Sequence, residues 1–341
     1  VLKQTYQLVS EKRFESTIIS QYPKKNQVVV RPMYLSICHA DQRYFNFERD
    51  SQIMAQKLPM ALIHEGMGKV VYSKSDDYSV DDRVVIVPTI NMHDDVKYGE
   101  NYLLDSKFMS SSADGMMQEY MILEKNQIVK LYADIPDTIA AFIEMMSVSM
   151  HAIKRIFEVS VNTSGSIGIW GDGNVSYMIA AVLKELKPEL KIYVLGHHQT
   201  KLDYYSFVEE TYVTENIPAD FTIDNAIEAT GGAGCASAIR QIIDHINPEG
   251  TISLLGVSEE EVPINTRMVL QKGLKLVGNS RSAVKDFQEI VDLLHDNPRL
   301  ISRMSMLVNQ IINVDTIQDA ENAFIEDNNS SFGKTIMKWN I

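Results

Sequence analysis

Apolar residues in the first half of the chain fall into short runs: QVVVRPMYLSIC (27–38), GMGKVVYS (66–73), DRVVIVP (82–88) and MQEYMIL (117–123). Polar and Asp/Gly/Pro-rich turns separate them, the texture of a compact β-rich domain. Pro32 and Pro88 are expected at edge or strand-end positions. The period changes near residue 150. Residues 137–157 (DTIAAFIEMMSVSMHAIKRIF) carry apolar positions at helical spacing without Gly or Pro and read as one or two helices. Beyond them strands and helices alternate. SIGIW, KIYVL, FTIDNAIEA, TISLLGV and LKLVGNS read as strands, and CASAIRQIIDHI and KDFQEIVDLLHD as helices. NVSYMIAAVLKEL reads as a helix with Val175, Ile179, Val182, Leu183 and Leu186 on one face. This alternation predicts an α/β fold with a doubly wound parallel sheet of Rossmann type. The tail KTIMKWNI is β-like again and is expected to rejoin the first domain. The boundaries drawn are 1–150, 151–297 and a returning tail at 298–341.

Size and charge narrow the function classes. At 341 residues, with 45% apolar and 23% charged residues, the chain suits two soluble globular domains. A net charge of −13 disfavours nucleic acid and anionic membrane surfaces as partners, although a local cationic pocket could still take a phosphate. Charges at Lys3, Glu11, Lys12 and Arg13 leave no apolar core for a signal peptide, and no apolar stretch reaches membrane-spanning length. Two cysteines, Cys38 and Cys235, make no disulfide framework. A reducing, cytoplasmic setting is expected, in which a cysteine is available to bind metal.

The clearest cofactor signal is SIGIW-GDGNVS. Gly171 and Gly173 lie between a strand and a helix that opens with Asn174 and Val175. The first glycine permits a tight turn, and the second lets a pyrophosphate approach the helix N-terminus. The third glycine position is Ser176, small enough for close helix–strand packing. After KIYVL, where an NAD site usually carries an acid, the sequence reads Gly196-His197-His198-Gln199-Thr200-Lys201. The missing acid and the cations His198 and Lys201 favour NADPH; the alternative is a solvated loop.

Metal chemistry is suggested by S-I-C-H-A-D, with Cys38 and Asp41, and by L-I-H-E-G-M-G, with His64 and Glu65. Thiolate, imidazole and carboxylate are competent Zn²⁺ ligands, and three protein ligands plus an open position is the catalytic pattern. A lone cysteine or histidine is more often core, but these occur together ahead of a dinucleotide fold.

The combination resembles the zinc-containing medium-chain alcohol and polyol dehydrogenases, with their C-x-x-D and G-H-E-x-x-G patterns and a later E-P-x-x-x-x-x-H-A, here F-I-E-M-M-S-V-S-M-H-A with Glu144. The resemblance spans the chain. It implies a GroES-like catalytic domain and one catalytic zinc surrounded by Cys38, His64, Glu65 and Glu144, with one glutamate ligating directly and the other through water. Asp41 would orient His64. Segments such as QKLPMALIHEG, IWGDGN, EGTISLLGVSE and GNSRSAVKDFQ further resemble the ribulose-5-phosphate reductase branch. That branch implies NADPH-linked reduction of D-ribulose 5-phosphate to D-ribitol 5-phosphate, a homo-oligomer, and a complex with the cytidylyltransferase that makes CDP-ribitol for teichoic-acid polymer. Three departures stand out. Residues 90–115 lack the four cysteines of a structural zinc lobe. Ala40 replaces the hydroxyl that begins the usual proton relay, which leaves water near Glu65 or Glu144, or His39, as proton source. Ser176 replaces the third glycine.

A phosphorylated substrate needs cations. Arg43 and Tyr44 could reach its far end or lie on a surface loop. Arg281 could hold a cofactor or substrate phosphate or be a surface charge, and Lys285 is a weaker candidate. Glu228 reads as structural, Cys235 as core and Glu259-Glu260-Glu261 as a solvated turn. Two other functions fit the same sequence: an NAD-linked polyol dehydrogenase acting on an unphosphorylated sugar alcohol, and a non-catalytic NADP-binding sensor.

Overall fold

The computed structural model describes residues 1–91 and 97–341. They divide into two compact units, Val1–Ser147 with Ser282–Ile341, and Val148–Arg281.

In the first unit the strands run in the order Ile128–Lys130, Arg83–Ile86, Glu65–Ser73, Gln27–Ser36, Lys334–Trp339, Val308–Val314, with Met121–Glu124 also paired to Gln27–Ser36. The C-terminal strand Lys334–Trp339 thus pairs antiparallel with Gln27–Ser36, the strand that leads into Cys38. Pro32 departs from its expected edge position. It lies in an interior strand, tolerated because the register with Glu65–Ser73 shifts between Pro32 and Tyr34, a bulge that spares a ladder donor. Pro88 follows the end of Arg83–Ile86. A small sheet of Arg13–Ser20, Leu2–Ser10 and Met60–Ala61 completes the β-rich part with the hairpin Thr89–Ile90/Lys107–Phe108.

The chain re-enters this unit at Ser282, ahead of the 297/298 boundary suggested by the sequence. The reason is the helix Val284–Asp296, which reads as part of the alternating pattern but packs here. His295 stacks on Tyr132 with ring centroids 4.0 Å apart, and its Nδ1 lies 3.0 Å from Asp134 Oδ1. Another returning helix, Ile317–Asp327, brings Phe324 against Phe45, centroids 4.7 Å apart, and Phe14 packs on both. Gln42 Nε2 donates to Phe324 O and to Asp327 Oδ2, 2.8 Å each. These contacts clamp the helix His39–Phe45, which carries the candidate site, between distant segments.

The second unit holds a six-stranded parallel sheet in the order Glu210–Val213, Lys191–Gly196, Ser166–Trp170, Ile223–Glu228, Ile246–Leu254, Lys275–Gly278. The chain starts at Ser166–Trp170, builds to one edge, then crosses to the other side of that strand. This is the doubly wound order, with its switch point at the end of Ser166–Trp170. The helix Asn174–Leu186 is buried from Ser176 to Leu183 rather than along one stripe, and Leu186 is exposed at its end. A mostly apolar helix against a parallel sheet reads as one face in sequence but is enclosed nearly all round. Among the described residues no helix is long and apolar enough to cross a membrane.

Candidate active site

In the first unit the strand Gln27–Ser36 ends just before Cys38, which caps the helix His39–Phe45. Asp41, one turn in, accepts from the Cys38 amide at 3.3 Å, so the cap that starts the helix also fixes the cysteine. Asp41 is fully buried and its other oxygen, Oδ1, gathers three groups. The Ile63 amide donates at 3.1 Å, the Ser110 hydroxyl donates, and His64 Nδ1 lies 3.3 Å away. With Nδ1 engaged, Nε2 is the imidazole nitrogen left for a cation. Ile63 has φ +72°, a left-handed conformation that a β-branched residue rarely adopts. The family pattern has glycine there. Here the hydrogen bonds of the Ile63 amide to Asp41 and of Met116 N to Ile63 O at 2.8 Å hold the strained residue next to His64.

Cys38, His64 and Glu65 each offer a ligand atom, and these atoms lie within 4.8 Å of one another, the one such group of three among the described residues. Residues 92–96, part of the stretch expected to lack a structural zinc lobe, lie outside the described residues. Glu144 opens the helix Ile143–Val159, is buried, and is not within that group. Its carboxylate has no hydrogen-bond or ion-pair partner among the described residues. Burial, aided by the negative charge of Glu65, pushes its pKa up to about 7, although His64 and Lys334 pull it down. A thiol, an imidazole and a carboxylate within 4.8 Å of one another, with a second buried carboxylate whose charge His64 feels, fit a divalent cation of zinc type. Burial would lower the His64 pKa, but Asp41 and Cys38 outweigh it and lift it well above the usual value. Burial, with Glu65, raises the Cys38 thiol pKa. A cation binding here therefore displaces protons.

Sequence reasoning missed Lys334. Its ammonium, 2% exposed, donates to Ile37 O at 2.8 Å and to Glu65 Oε1 at 3.1 Å, and lies 2.9 Å from Glu65 Oε2. Burial lowers the Lys334 pKa, but Glu65, Cys38 and Asp327 together outweigh burial and raise it. Glu65 is thus held by a counter-ion, and Glu144 is not. The only available signal was a lysine opening a strand that is otherwise mostly apolar. Arg43 is half-buried in the same helix as Asp41, and Tyr44 is buried there with its hydroxyl accepting from Lys57 Nζ at 2.9 Å. Tyr44 is therefore not on a surface loop. His39 is exposed.

In the second unit Gly171 has φ +131°, and a Cβ there would meet Ser176 Oγ at 2.6 Å and Ala229 O at 2.7 Å. Gly173 caps the helix Asn174–Leu186, and a Cβ there would meet nothing within 4 Å. Protein packing does not require that glycine; an anion approaching the helix N-terminus does. A cavity of about 300 Å³ opens beside this turn, lined among others by Gly171, Gly173, His197, Lys201, Thr230 and Gln241. These features fit a dinucleotide. Asn174 and Val175 are the first two residues of the helix.

The acid missing after the strand Lys191–Gly196 is supplied in space by another segment. Asp172, between the glycines, accepts from His197 N and His198 N at 2.9 Å each. His198 Nδ1 lies 2.9 Å from its Oδ2, and Lys201 Nζ is 3.9 Å from its Oδ1. These donors outweigh burial and lower its pKa. Gly196 is needed for this approach, since a Cβ would meet Asp172 at 2.5 Å. The expectation of an acid-free cationic loop is thus corrected: His198 and Lys201 already face a carboxylate. Arg281, half-buried with φ +58°, follows the strand Lys275–Gly278, and burial lowers its pKa. Lys285 is exposed and 3.8 Å from Glu289. Glu228 accepts from Thr230 N at 2.9 Å and Gly256 N at 3.0 Å, a structural role, and Cys235 is buried.

Residues 24–136 match the alcohol dehydrogenase GroES-like domain, and residues 138–337 match the glucose dehydrogenase C-terminus. Ribulose-5-phosphate reductase 1 of Staphylococcus aureus is 45% identical over 339 residues, covering 99% of each chain. Ribulose-5-phosphate reductase of Bacillus spizizenii is 42% identical over 341 residues, covering all of both chains. The crystal structure of S. aureus TarJ in complex with NADPH superposes with a TM-score of 0.90 at 42% identity over the whole of both chains. The chain belongs to the medium-chain alcohol and polyol dehydrogenase family, in its ribulose-5-phosphate reductase branch.

Proposed function

We propose that this protein reduces D-ribulose 5-phosphate to D-ribitol 5-phosphate with NADPH, using one zinc ion. The observation that carries this reading is the full-length identity of 42–45% to ribulose-5-phosphate reductases, joined to a donor cluster and a pyrophosphate cradle in the two units. Cys38, His64 and one carboxylate, Glu65 or Glu144, would hold the metal. When bound, zinc supplies a Lewis acid for the ketone oxygen, and the nicotinamide supplies the hydride. Asp41 fixes the His64 ring and its free nitrogen. Lys334 neutralises Glu65, whereas Glu144 has no such counter-ion in contact. Ala40 offers no hydroxyl for a relay, so Glu144 and nearby water are the route that best fits a proton to the product. Gly171, Gly173, Asn174 and Val175 receive the pyrophosphate, and His198, Lys201 and Arg281 are the cations for the cofactor's extra phosphate. A cytoplasmic homo-oligomer, supplying a cytidylyltransferase in polymer synthesis, belongs to the same proposal.

One observation favours a second reading. Asp172 occupies the place where ribose hydroxyls are usually recognised, chemistry that suits NADH. Initial rates with NADPH and NADH, each against ribulose 5-phosphate and free ribulose, test both. Preference for NADPH and the phosphorylated ketose supports the first; preference for NADH and the free sugar replaces it with an NAD-linked polyol dehydrogenase.

A further inference from the structure

Buried and half-buried cations in this protein are generally matched. Lys334 meets Glu65, Arg83 meets Asp137, and Lys272 donates to three carbonyls. Arg49 and Lys57 in the first unit have no carboxylate partner among the described residues, and both gather on Tyr44. Arg49 stacks its guanidinium over the Tyr44 ring, 4.2 Å from the centroid, with its Nε buried and without a hydrogen-bond partner. Lys57 donates to the Tyr44 hydroxyl at 2.9 Å and to Ser111 Oγ at 3.3 Å. Both are half-buried, and neither has a carboxylate within ion-pair distance among the described residues. Asp50, next to Arg49, is committed to capping the helix Ser51–Lys57, where it accepts from Gln52 N and Ile53 N. In a chain with 45 acidic and 32 basic residues, two such cations gathered on one buried tyrosine are an uncompensated positive site.

The site is tied to the metal-competent cluster. Tyr44 follows Asp41 by three residues on one helix, so the two side chains are neighbours on its surface. Ser111, which touches Lys57, follows Ser110, which donates to Asp41. A five-carbon ketose with its carbonyl at the cluster has its phosphate at the far end of the chain, and this tyrosine with its two cations lies one helical turn from Asp41, which supports the cluster.

We propose that Arg49 and Lys57, held on Tyr44, bind the phosphomonoester dianion of the substrate and set the preference for a phosphorylated ketose. The guanidinium offers a fork of donors and the ammonium a compact charge, both suited to phosphate. This rests on the reading above that the substrate is a phosphorylated ketose.

The test uses the zinc-loaded enzyme with NADPH. It compares the kcat/KM ratio for ribulose 5-phosphate over free ribulose in the parent, Arg49→Gln, Lys57→Gln and Lys57→Arg, together with inhibition by inorganic phosphate. The ratio is expected to fall about tenfold to a hundredfold in each glutamine variant, with phosphate inhibition weakened in step. Lys57→Arg is expected to keep the parent's preference. Misfolding lowers both rates together and leaves the ratio unchanged, so it does not imitate the effect; for a glutamine variant that does not fold, alanine at the same position gives the ratio. A parent that prefers the phosphorylated ketose, with glutamine variants that keep that preference, overturns the clamp and leaves the function standing. A parent indifferent to the phosphate overturns the functional reading and the clamp with it.

Discussion

Lys334 lies within 3.1 Å of both carboxylate oxygens of Glu65, and both residues are almost completely buried. A buried pair of this kind adds little net stability, but removing one partner leaves an uncompensated charge. Lys334→Met is expected to destabilise the protein by about 3–5 kcal/mol, read from urea unfolding at neutral pH. The double variant Lys334→Met/Glu65→Gln should recover much of that loss. A single variant as stable as the parent would show that Glu65 does not depend on Lys334.

Asp41 fixes the His64 ring through Nδ1. Replacing such a partner of a metal-binding histidine costs about 10–100-fold in metal affinity. Asp41→Ala is expected to weaken zinc binding by that factor in competition with a chromogenic chelator. Unchanged affinity would remove His64 from the proposed ligand set or Asp41 from its support.

Glu144 gives a pH signature to the metal-free protein. Its pKa is pushed up from the ordinary 4.5 to about 7, so between those values the native state binds more protons than the unfolded state. Stability from this group is therefore present below the lower value and is lost as pH rises toward 7. The urea midpoint of chelated parent should fall over that window relative to Glu144→Gln. Parallel midpoints in the two proteins would contradict the assigned shift.

His198 and Lys201 share Asp172, so the Lys201 charge is partly neutralised before any cofactor arrives. Lys201→Ala is expected to raise the KM for NADPH about tenfold while changing that for NADH much less. Equal changes for the two cofactors would place Lys201 outside the recognition of the extra phosphate.

The parts of this molecule that could be read from sequence are those encoded by contiguous residues. Cys38 with Asp41, and His64 with Glu65, lie in two short patterns, and Gly171 and Gly173 lie in a third, each on a strand end or helix start. The alternating second unit followed from apolar period alone. What could not be read depends on pairing between remote segments. Lys334 reaches Glu65 because Ile37 N donates to Thr335 O across a strand pair, which no local pattern encodes. Asp172 escaped notice because the acid was sought after the second strand, whereas the fold brings it there from the glycine turn. Pro32 depended on a bulge, and the helix Val284–Asp296 on packing that its own sequence does not disclose.

Zinc-dependent reduction is tested most simply by NADPH oxidation with ribulose 5-phosphate, followed on purified enzyme before chelation, after chelation and after zinc is restored, with the product identified by mass spectrometry. Conversion to ribitol 5-phosphate that is lost on chelation and returns with zinc is the expected result. Turnover undiminished in metal-free enzyme, or no ribitol 5-phosphate from zinc-loaded enzyme, would contradict it.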